Sequence, residues 1–287
     1  MDPVAVIMRS KDEMPHARRA LEMLRRQRGC PFVLFNVDSG STDGTLEAIL
    51  EANPERVTRI RPEDYVPGRV LNLMVGKTTG DIVVFLNADA VPCDEDWLVR
   101  LVGPIVRGEA DATCSRQEPR ADATFLVRFD HARTFNPKWL TPDNDAFFSA
   151  VSCAFRRALW EKQRFREEGI AEDLEWSRRC RGDGARFVYV PESRVEHSHN
   201  YSTEQIRRRE FGHGQAYAHI FGHRPGWLRQ AARCLKEIVR DALEAARTGH
   251  LRTVPANVAF RLAYHSAHYR GLREAQRRRP SKEVPRG

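Results

Sequence analysis

Phe32-Val33-Leu34-Phe35-Asn36-Val37-Asp38-Ser39-Gly40-Ser41-Thr42-Asp43-Gly44-Thr45 is an apolar run that breaks, at one aspartate, into turn residues and then a helical pattern. The arrangement recurs downstream, where Ile82-Val83-Val84-Phe85-Leu86 breaks into Asn87-Ala88-Asp89-Ala90. Short β-branched and aromatic runs followed by turn residues and a helical repeat read as parallel strands feeding helices. In such sheets ligands bind beyond the carboxyl ends of the strands. Asp38 and Asp89 each stand at such an end, and two acidic residues there suggest a nucleotide and its metal.

Working outward, residues 4–8 read as a first strand and residues 15–28 as a helix with Ala17, Ala20, Leu21 and Leu24 on one face. Ser41 or Asp43 is placed to cap the helix that carries Leu46, Ile49 and Leu50. Residues 57–60 form a short third strand and residues 68–77 a helix. Asp94-Glu95-Asp96 opens another helix through Leu101 and Val106, with its carboxylates at the positive end. The alternation of strand and helix implies an α/β fold, an open and mostly parallel twisted sheet with flanking helices. Beyond Ala110 the pattern is mixed: strands are expected at 112–116, 150–155, 187–190 and 194–197, with a helix at 172–181. From Thr203 onward only helices are expected, broken at residues 222–226 and around Pro255. The expected organisation is a catalytic domain over residues 1–202, a helical C-terminal region over 203–276 packing on it, and a disordered basic tail over 277–287.

At 287 residues the chain is long enough for a sizeable core. No run approaches the roughly 18 apolar residues that would span a bilayer. The N-terminus enters the first strand directly, so no signal peptide is expected. The six cysteines are scattered without a CxxC pair, which reads as reduced thiols in a cytoplasmic protein without structural zinc. The net charge of +8 is uneven: from Thr203 on there are 18 Lys and Arg against 7 Asp and Glu. Such a region suits nucleic acid, anionic lipid or a phosphorylated substrate, or is simply a solvated basic surface. A nucleic-acid-binding protein is disfavoured, since there is no recognition motif and few aromatics lie among the basic residues. Leu228, Ala231, Ala232, Leu235, Ile238, Val239 and Leu243 form an apolar stripe with arginines interleaved. It would suit packing on the catalytic domain, a homodimer partner, or peripheral contact with a membrane.

Five segments in order make the chain similar to family 2 glycosyltransferases with the GT-A fold, a Rossmann-like architecture. They are Ile7-Met8-Arg9-Ser10-Lys11-Asp12-Glu13, the Asp38 to Thr45 segment, Gly80-Asp81 through Ala90, Ala171-Glu172-Asp173-Leu174-Glu175-Trp176, and Val195-Glu196-His197-Ser198-His199-Asn200-Tyr201-Ser202. The Arg-Ser-Lys opening, Gly68-Arg69-Val70-Leu71-Asn72 and the His-Ser-His-Asn-Tyr-Ser segment resemble the bacterial rhamnosyltransferase-like branch. The resemblance implies an inverting transfer of one sugar from a nucleotide-diphosphate donor to a glycan, lipid-linked or small acceptor, assisted by Mg²⁺ or Mn²⁺. It makes Asp89 the first metal ligand and His197 the later histidine, with His199 as the fallback. The family's Asp-x-Asp motif is Asn87-Ala88-Asp89 here, which leaves Asp89 as the only anionic ligand in it.

Asp38 is suited to accept the imide N–H of uracil or thymine, or the donor edge of guanine. Ser10 and Glu13 are the expected neighbours around base and ribose. Asn87 is expected at the ribose or sugar, and Arg69 at the diphosphate or simply as surface charge. The resemblance assigns Asp173 as the base that takes the acceptor proton, with Glu172 on the acceptor side. A carboxylate in a helix's first turn feels the positive dipole end, which keeps it ionised. Nucleotidyl transfer on a similar sheet is the rival enzyme class, but Met8-Arg9-Ser10-Lys11-Asp12 lacks the glycines its phosphate loop needs.

Overall fold

The computed structural model describes residues 2–136, 148–167 and 171–278. The chain divides into two compact units: Met1–Asp122 with His131–Ser198, and Ala123–Asp130 with His199–Gly287. Of the expected basic tail, residues 279–287 lie outside the described residues.

The first unit is built on a mixed sheet. In chain order its strands are β1 (Val4–Ser10), β2 (Phe32–Asp38), β3 (Val57–Arg59), β4 (Ile82–Asn87), β5 (Val91–Pro92), β6 (Ala112–Glu118), β7 (Ser152–Arg156) and β8 (Phe187–Glu196). Their spatial order is β3-β2-β1-β4-β7-β6-β8-β5. Strands β3, β2, β1 and β4 run parallel, β7 is antiparallel to both neighbours, and β6 and β8 are parallel to one another. The interleaved helices are α1 (His16–Arg25), α2 (Thr45–Ala52), α3 (Pro67–Gly76), α4 (Trp97–Val106), α5 (Phe125–Thr134), α6 (Arg157–Lys162) and α7 (Glu172–Gly182). The residues of α5 are shared between the two units.

Because side chains alternate along a strand, β1 and β4 feed two cores. Val4, Val6, Met8, Val84 and Leu86 meet Leu21, Leu24, Ile49, Trp97 and Leu101 on one face. Ile7, Val83 and Phe85 meet Leu71, Met74, Phe155 and Trp176 on the other. Burial on both faces is why these strands read as unbroken apolar runs. On the second face Trp176 is wholly buried, with Phe155 and Phe165 at ring-centroid distances of 5.1 and 4.7 Å. It lies three positions after Asp173, so this aromatic cluster anchors the first turn of α7.

Two readings change. The strands expected at 187–190 and 194–197 are one strand, β8, whose register against β6 shifts between Ser115 and Arg116. Ser115 pairs with Val190 but Arg116 with Arg194, so residues 191–193 bulge where Pro191 cannot donate to a ladder. The helix expected to open across Asp94 to Asp96 has Asp96 as its N-cap position and Trp97 as its first residue; Asp94 accepts from the Asp96 N–H, and both carboxylates bind Arg100.

The second unit contains α8 (Thr203–Ile220), α9 (Trp227–Arg247) and α10 (Val254–Arg277). A capping box opens α8: the Ser202 hydroxyl accepts from the Gln205 N–H, and the Gln205 side chain accepts from the Ser202 N–H. Helices α8 and α10 cross where Gly214 faces Gly271; a Cβ at either would run into the carbonyl oxygen of His268 or Phe211. Pro255 stands at the start of α10, where its missing N–H costs no helical hydrogen bond.

Trp176→Ala is expected to cost about 3–5 kcal/mol of stability through the cavity left among the aromatic rings. Urea unfolding would register it, and a cost under about 1 kcal/mol would show that this cluster does not hold α7.

Candidate active site

The carboxyl ends of β1, β2 and β4 open into a cleft of about 290 Å³ lined by Arg9, Ser10, Lys11, Glu13, Ser39, Pro62, Tyr65 and Asn87. Its walls are two loops laced together by the polar residues after Asp38. The Asp12 carboxylate accepts from the Thr42 N–H (2.7 Å), Ser41 Oγ from the Asp12 N–H (2.9 Å), Asp43 from the Met14 N–H (2.8 Å) and Thr45 Oγ1 from the Glu13 N–H (2.9 Å). Asp12 sits at φ 53°, a left-handed conformation that these bonds hold in place. Asp43 also accepts from the Thr45 N–H, whereas Ser41 turns away from α2 toward Asp38. Of the two expected caps Asp43 therefore binds the first N–H of α2, while Gly44, in the left-handed region, holds the N-cap position itself.

Asp38 is buried and its carboxylate already gathers four donors. Ser10 Oγ (2.8 Å) and Ser41 Oγ donate to one oxygen, and the N–H groups of Gly40 (3.0 Å) and Ser41 (2.9 Å) to the other. Four bonds fill the lone pairs of a carboxylate. Base recognition by Asp38 thus requires a serine hydroxyl to give up its bond. Glu13 lines the cleft half-buried, and burial, with Asp89 adding repulsion, pushes its carboxyl up to about 8. Arg69 lies outside the lining, paired on the surface with Glu167 at 3.3 Å.

Asp89 follows β4 and is 2% exposed. Its Oδ2 receives Arg120 Nη2 at 3.0 Å and faces His197 Nε2 at 3.3 Å. Arg120 also donates to the carbonyl oxygens of Asp89 and Ser198, both at 2.7 Å. On the far side of the imidazole, His197 Nδ1 meets Gln117 Oε1 at 2.8 Å, while the Gln117 amide nitrogen donates to Ser149 Oγ. An Nδ1–H donated to Gln117 leaves the Nε2 lone pair aimed at a carboxylate oxygen. Two acceptors at that distance need a proton or a cation between them, and orientation by an outer partner is the usual dress of a metal-binding histidine. The donor set fits a divalent cation, with the Asp89 carboxylate and His197 Nε2 converging at 3.3 Å; His199 falls in the second unit.

Arg9 joins this region to the segment of Asp173. Its guanidinium donates to Asn87 Oδ1 (2.8 Å) and the Ala150 carbonyl (3.4 Å), and lies 3.6 Å from Glu172. Asn87 is thus held on its oxygen side by Arg9. Asp173 Oδ2 accepts from the Ala150 N–H (2.9 Å) and Oδ1 from the Leu174 N–H (2.8 Å), so one backbone unit at Ala150 serves both side chains. Burial and the neighbouring Asp173 raise the Glu172 carboxyl above its ordinary range, against the pull of Arg9. Ala171, just before α7, sits at φ 64°. A non-glycine residue held there is strained, as residues at functional sites often are.

Sequence reasoning missed Arg9 as a connector and missed Arg120 and Gln117 altogether. Arg9 lay inside a quoted segment, and its alternating position on β1 was the available signal. Arg120 and Gln117 sit in no periodic pattern, and only the pairing of β6 with β8 brings them to His197.

Glu13 carries a pH signature. Its folded carboxyl titrates above the unfolded one, so the native state holds an extra proton between about pH 4.5 and pH 8. Its contribution is fully present below that window and is lost as pH rises through it. Metal-free Glu13→Gln is expected to show a flatter decline of the urea midpoint from about pH 5 to pH 9 than the parent. Parallel declines would refute the buried-acid reading.

The sequence pattern of the family described as glycosyl transferase family 2 matches residues 5–163. The chain is similar to the O-antigen chain rhamnosyltransferase RfbN of Salmonella typhimurium, at 31% identity over 69% of this chain and 67% of that protein. A second O-antigen chain rhamnosyltransferase, WbaN of Salmonella anatum, is 31% identical over 68% of this chain; the match spans 65% of that protein's length. Among solved structures, the mannosyltransferase PcManGT from Pyrobaculum calidifontis, in complex with GDP-Man and Mn²⁺, aligns with a TM-score of 0.65 over 95% of this chain and 86% of its own, at 20% identity. That likeness shows the expected GT-A-like fold. With more than half its length matching the family pattern, the chain belongs to glycosyl transferase family 2 and is a glycosyltransferase.

Proposed function

We propose an inverting, metal-dependent transfer of a single sugar, a rhamnosyl group foremost, from a nucleotide-diphosphate donor (dTDP-, UDP- or GDP-linked) to a hydroxyl of a glycan, glycolipid or small acceptor in bacterial cell-surface polysaccharide synthesis. The observation that carries this reading is the buried Asp89 carboxylate facing His197 Nε2 beside a cleft at the strand ends. The rhamnosyltransferase relatives support the sugar, and the GDP-Man and Mn²⁺ bound to the structural neighbour support the donor class and the metal.

In this reading the laced loops with Ser10, Glu13 and Asp38 receive base and ribose, and Asn87, held by Arg9, meets the ribose or sugar. Arg69 stays with its surface partner Glu167 unless donor binding draws it in. A Mg²⁺ or Mn²⁺ ion bound by Asp89 with His197, or His199 as the fallback, would supply positive charge for the departing diphosphate. Asp173 takes the proton from the acceptor hydroxyl as its oxygen bonds to the anomeric carbon and the bond to the diphosphate oxygen breaks. Two backbone N–H bonds at the first turn of α7 hold and aim that carboxylate. Glu172, beside Arg9, lines the acceptor side. Catalysis takes place in the cytoplasm, where a lipid-linked acceptor would bring the protein to the inner face of the membrane.

Asp173→Asn is expected to lower turnover about 10²–10⁴-fold while leaving donor binding intact. Near-normal transfer in that variant would remove Asp173 from the base role. For the metal, Mn²⁺ with UDP, GDP or dTDP is expected to raise the melting point of the parent, by the equivalent of about 2.7 kcal/mol at 100-fold excess over Kd. Asp89→Asn should lose most of that gain, and an undiminished shift would place the cation elsewhere.

A further inference from the structure

Helix α9 wears its apolar side outward. Leu228, Leu235, Val239 and Leu243 are 49–67% exposed. At 100° per residue they share one arc with Ala231, Ala232 and Ala246. The side turned inward carries Gln230, Cys234, Asp241 and Ala245. Its polar members are satisfied there: Asp241 accepts from Arg261 at 2.6 Å and Gln230 bonds His265 at 2.8 Å. An exposed apolar strip opposite a buried polar one is informative in a way that a lone surface leucine is not. Leu251 beyond its end, 61% exposed, adds to it, whereas Trp227, the exposed first residue of the helix, falls on the arc of Ala245.

One edge of the strip is basic. Arg229, Arg233, Lys236, Arg240 and Arg247 fall in the adjoining arc, spread along the whole helix. Arg233 and Lys236 also border a recess of about 340 Å³ beside α9, with His213, His265 and His268 on its walls.

We propose that this face of α9 docks on an anionic lipid surface. The inference rests on the peripheral membrane contact proposed above and names the surface that makes it. The leucines and Val239 enter the boundary between head groups and acyl chains, and the long basic side chains reach the lipid phosphates while their stems cover apolar surface. Charge selects lipid over a second copy of the chain. A two-fold pairing through this strip would bring the same five cations toward their own images, whereas an anionic bilayer neutralises them.

The test is flotation of the full chain with phosphatidylcholine vesicles, with and without phosphatidylglycerol. The protein is expected to float only with the anionic vesicles and to be released by high salt. Leu235→Glu combined with Leu243→Glu should abolish flotation, and Lys236→Ala should weaken partitioning about five-fold. Both leucines are exposed, so an unchanged melting point is expected and separates lost docking from lost folding. No flotation of the parent, equal flotation with neutral vesicles, or undisturbed flotation of the double variant would overturn the proposal. So would a dimer in sedimentation equilibrium that the double variant splits, which would assign the strip to a second copy. The assay involves no sugar transfer, so its failure leaves the proposed activity standing, and failed transfer to a water-soluble acceptor leaves the docking standing.

Discussion

A carboxylate buried at the end of a central strand must have partners, and meeting that demand organises the C-terminal edge of the sheet. Asp89 is nearly inaccessible, and Arg120, which donates to it, and His197, which closes on it, offset its desolvation. Arg120 belongs to the loop after β6 and His197 follows β8, so the parallel pairing of those strands is what delivers both. Gln117, on the same β6, then orients the imidazole. The arrangement couples the half of the sheet built from consecutive β-α units to the half in which strand direction is mixed.

A second coupling runs through Arg9. Its side chain leaves β1 at the cleft, grips Asn87 and lies against Glu172, while the Ala150 carbonyl accepts from it and the Ala150 N–H donates to Asp173. Asn87 and Asp173 are therefore linked through one guanidinium and the backbone of one residue. The laced loops do comparable work at the ends of β1 and β2. Four of the polar residues between Asp38 and Thr45 spend their hydrogen bonds on the loop after β1, so the segment is chiefly scaffold.

The first half of the sheet was legible because its signals are local. Apolar runs of strand length alternate with 3.6-residue stripes, and β1, β2, β4, α1 and α3 fall within a few residues of where periodicity puts them. The same logic placed Asp89 at a strand end and Asp173 in the first turn of a helix. Local signals failed where pairing decides: residues 187–190 and 194–197 read as two strands, yet Pro191 sits in a bulge inside one. Helix α5 has little apolar periodicity to read, with only Leu126 buried. Arg120 and Gln117 acquire partners through contacts about 80 positions away in the chain, which no window of sequence contains. The stripe on α9 was visible, but not which side of it faces outward, because its buried polar residues depend on α10.

The bulge in β8 carries a constraint on chain length. Between Val190 and Arg194 the strand spends three residues without advancing against β6. Side chains alternate from there to the strand's end, so a one-residue slip of Arg194 against Arg116 would exchange inward for outward at Val195 and Glu196. The imidazole that follows would swing off Asp89 with every side chain of the corner still present. The three unpaired residues are thus slack in the chain, and the ladder beyond them is what holds His197 to its aim.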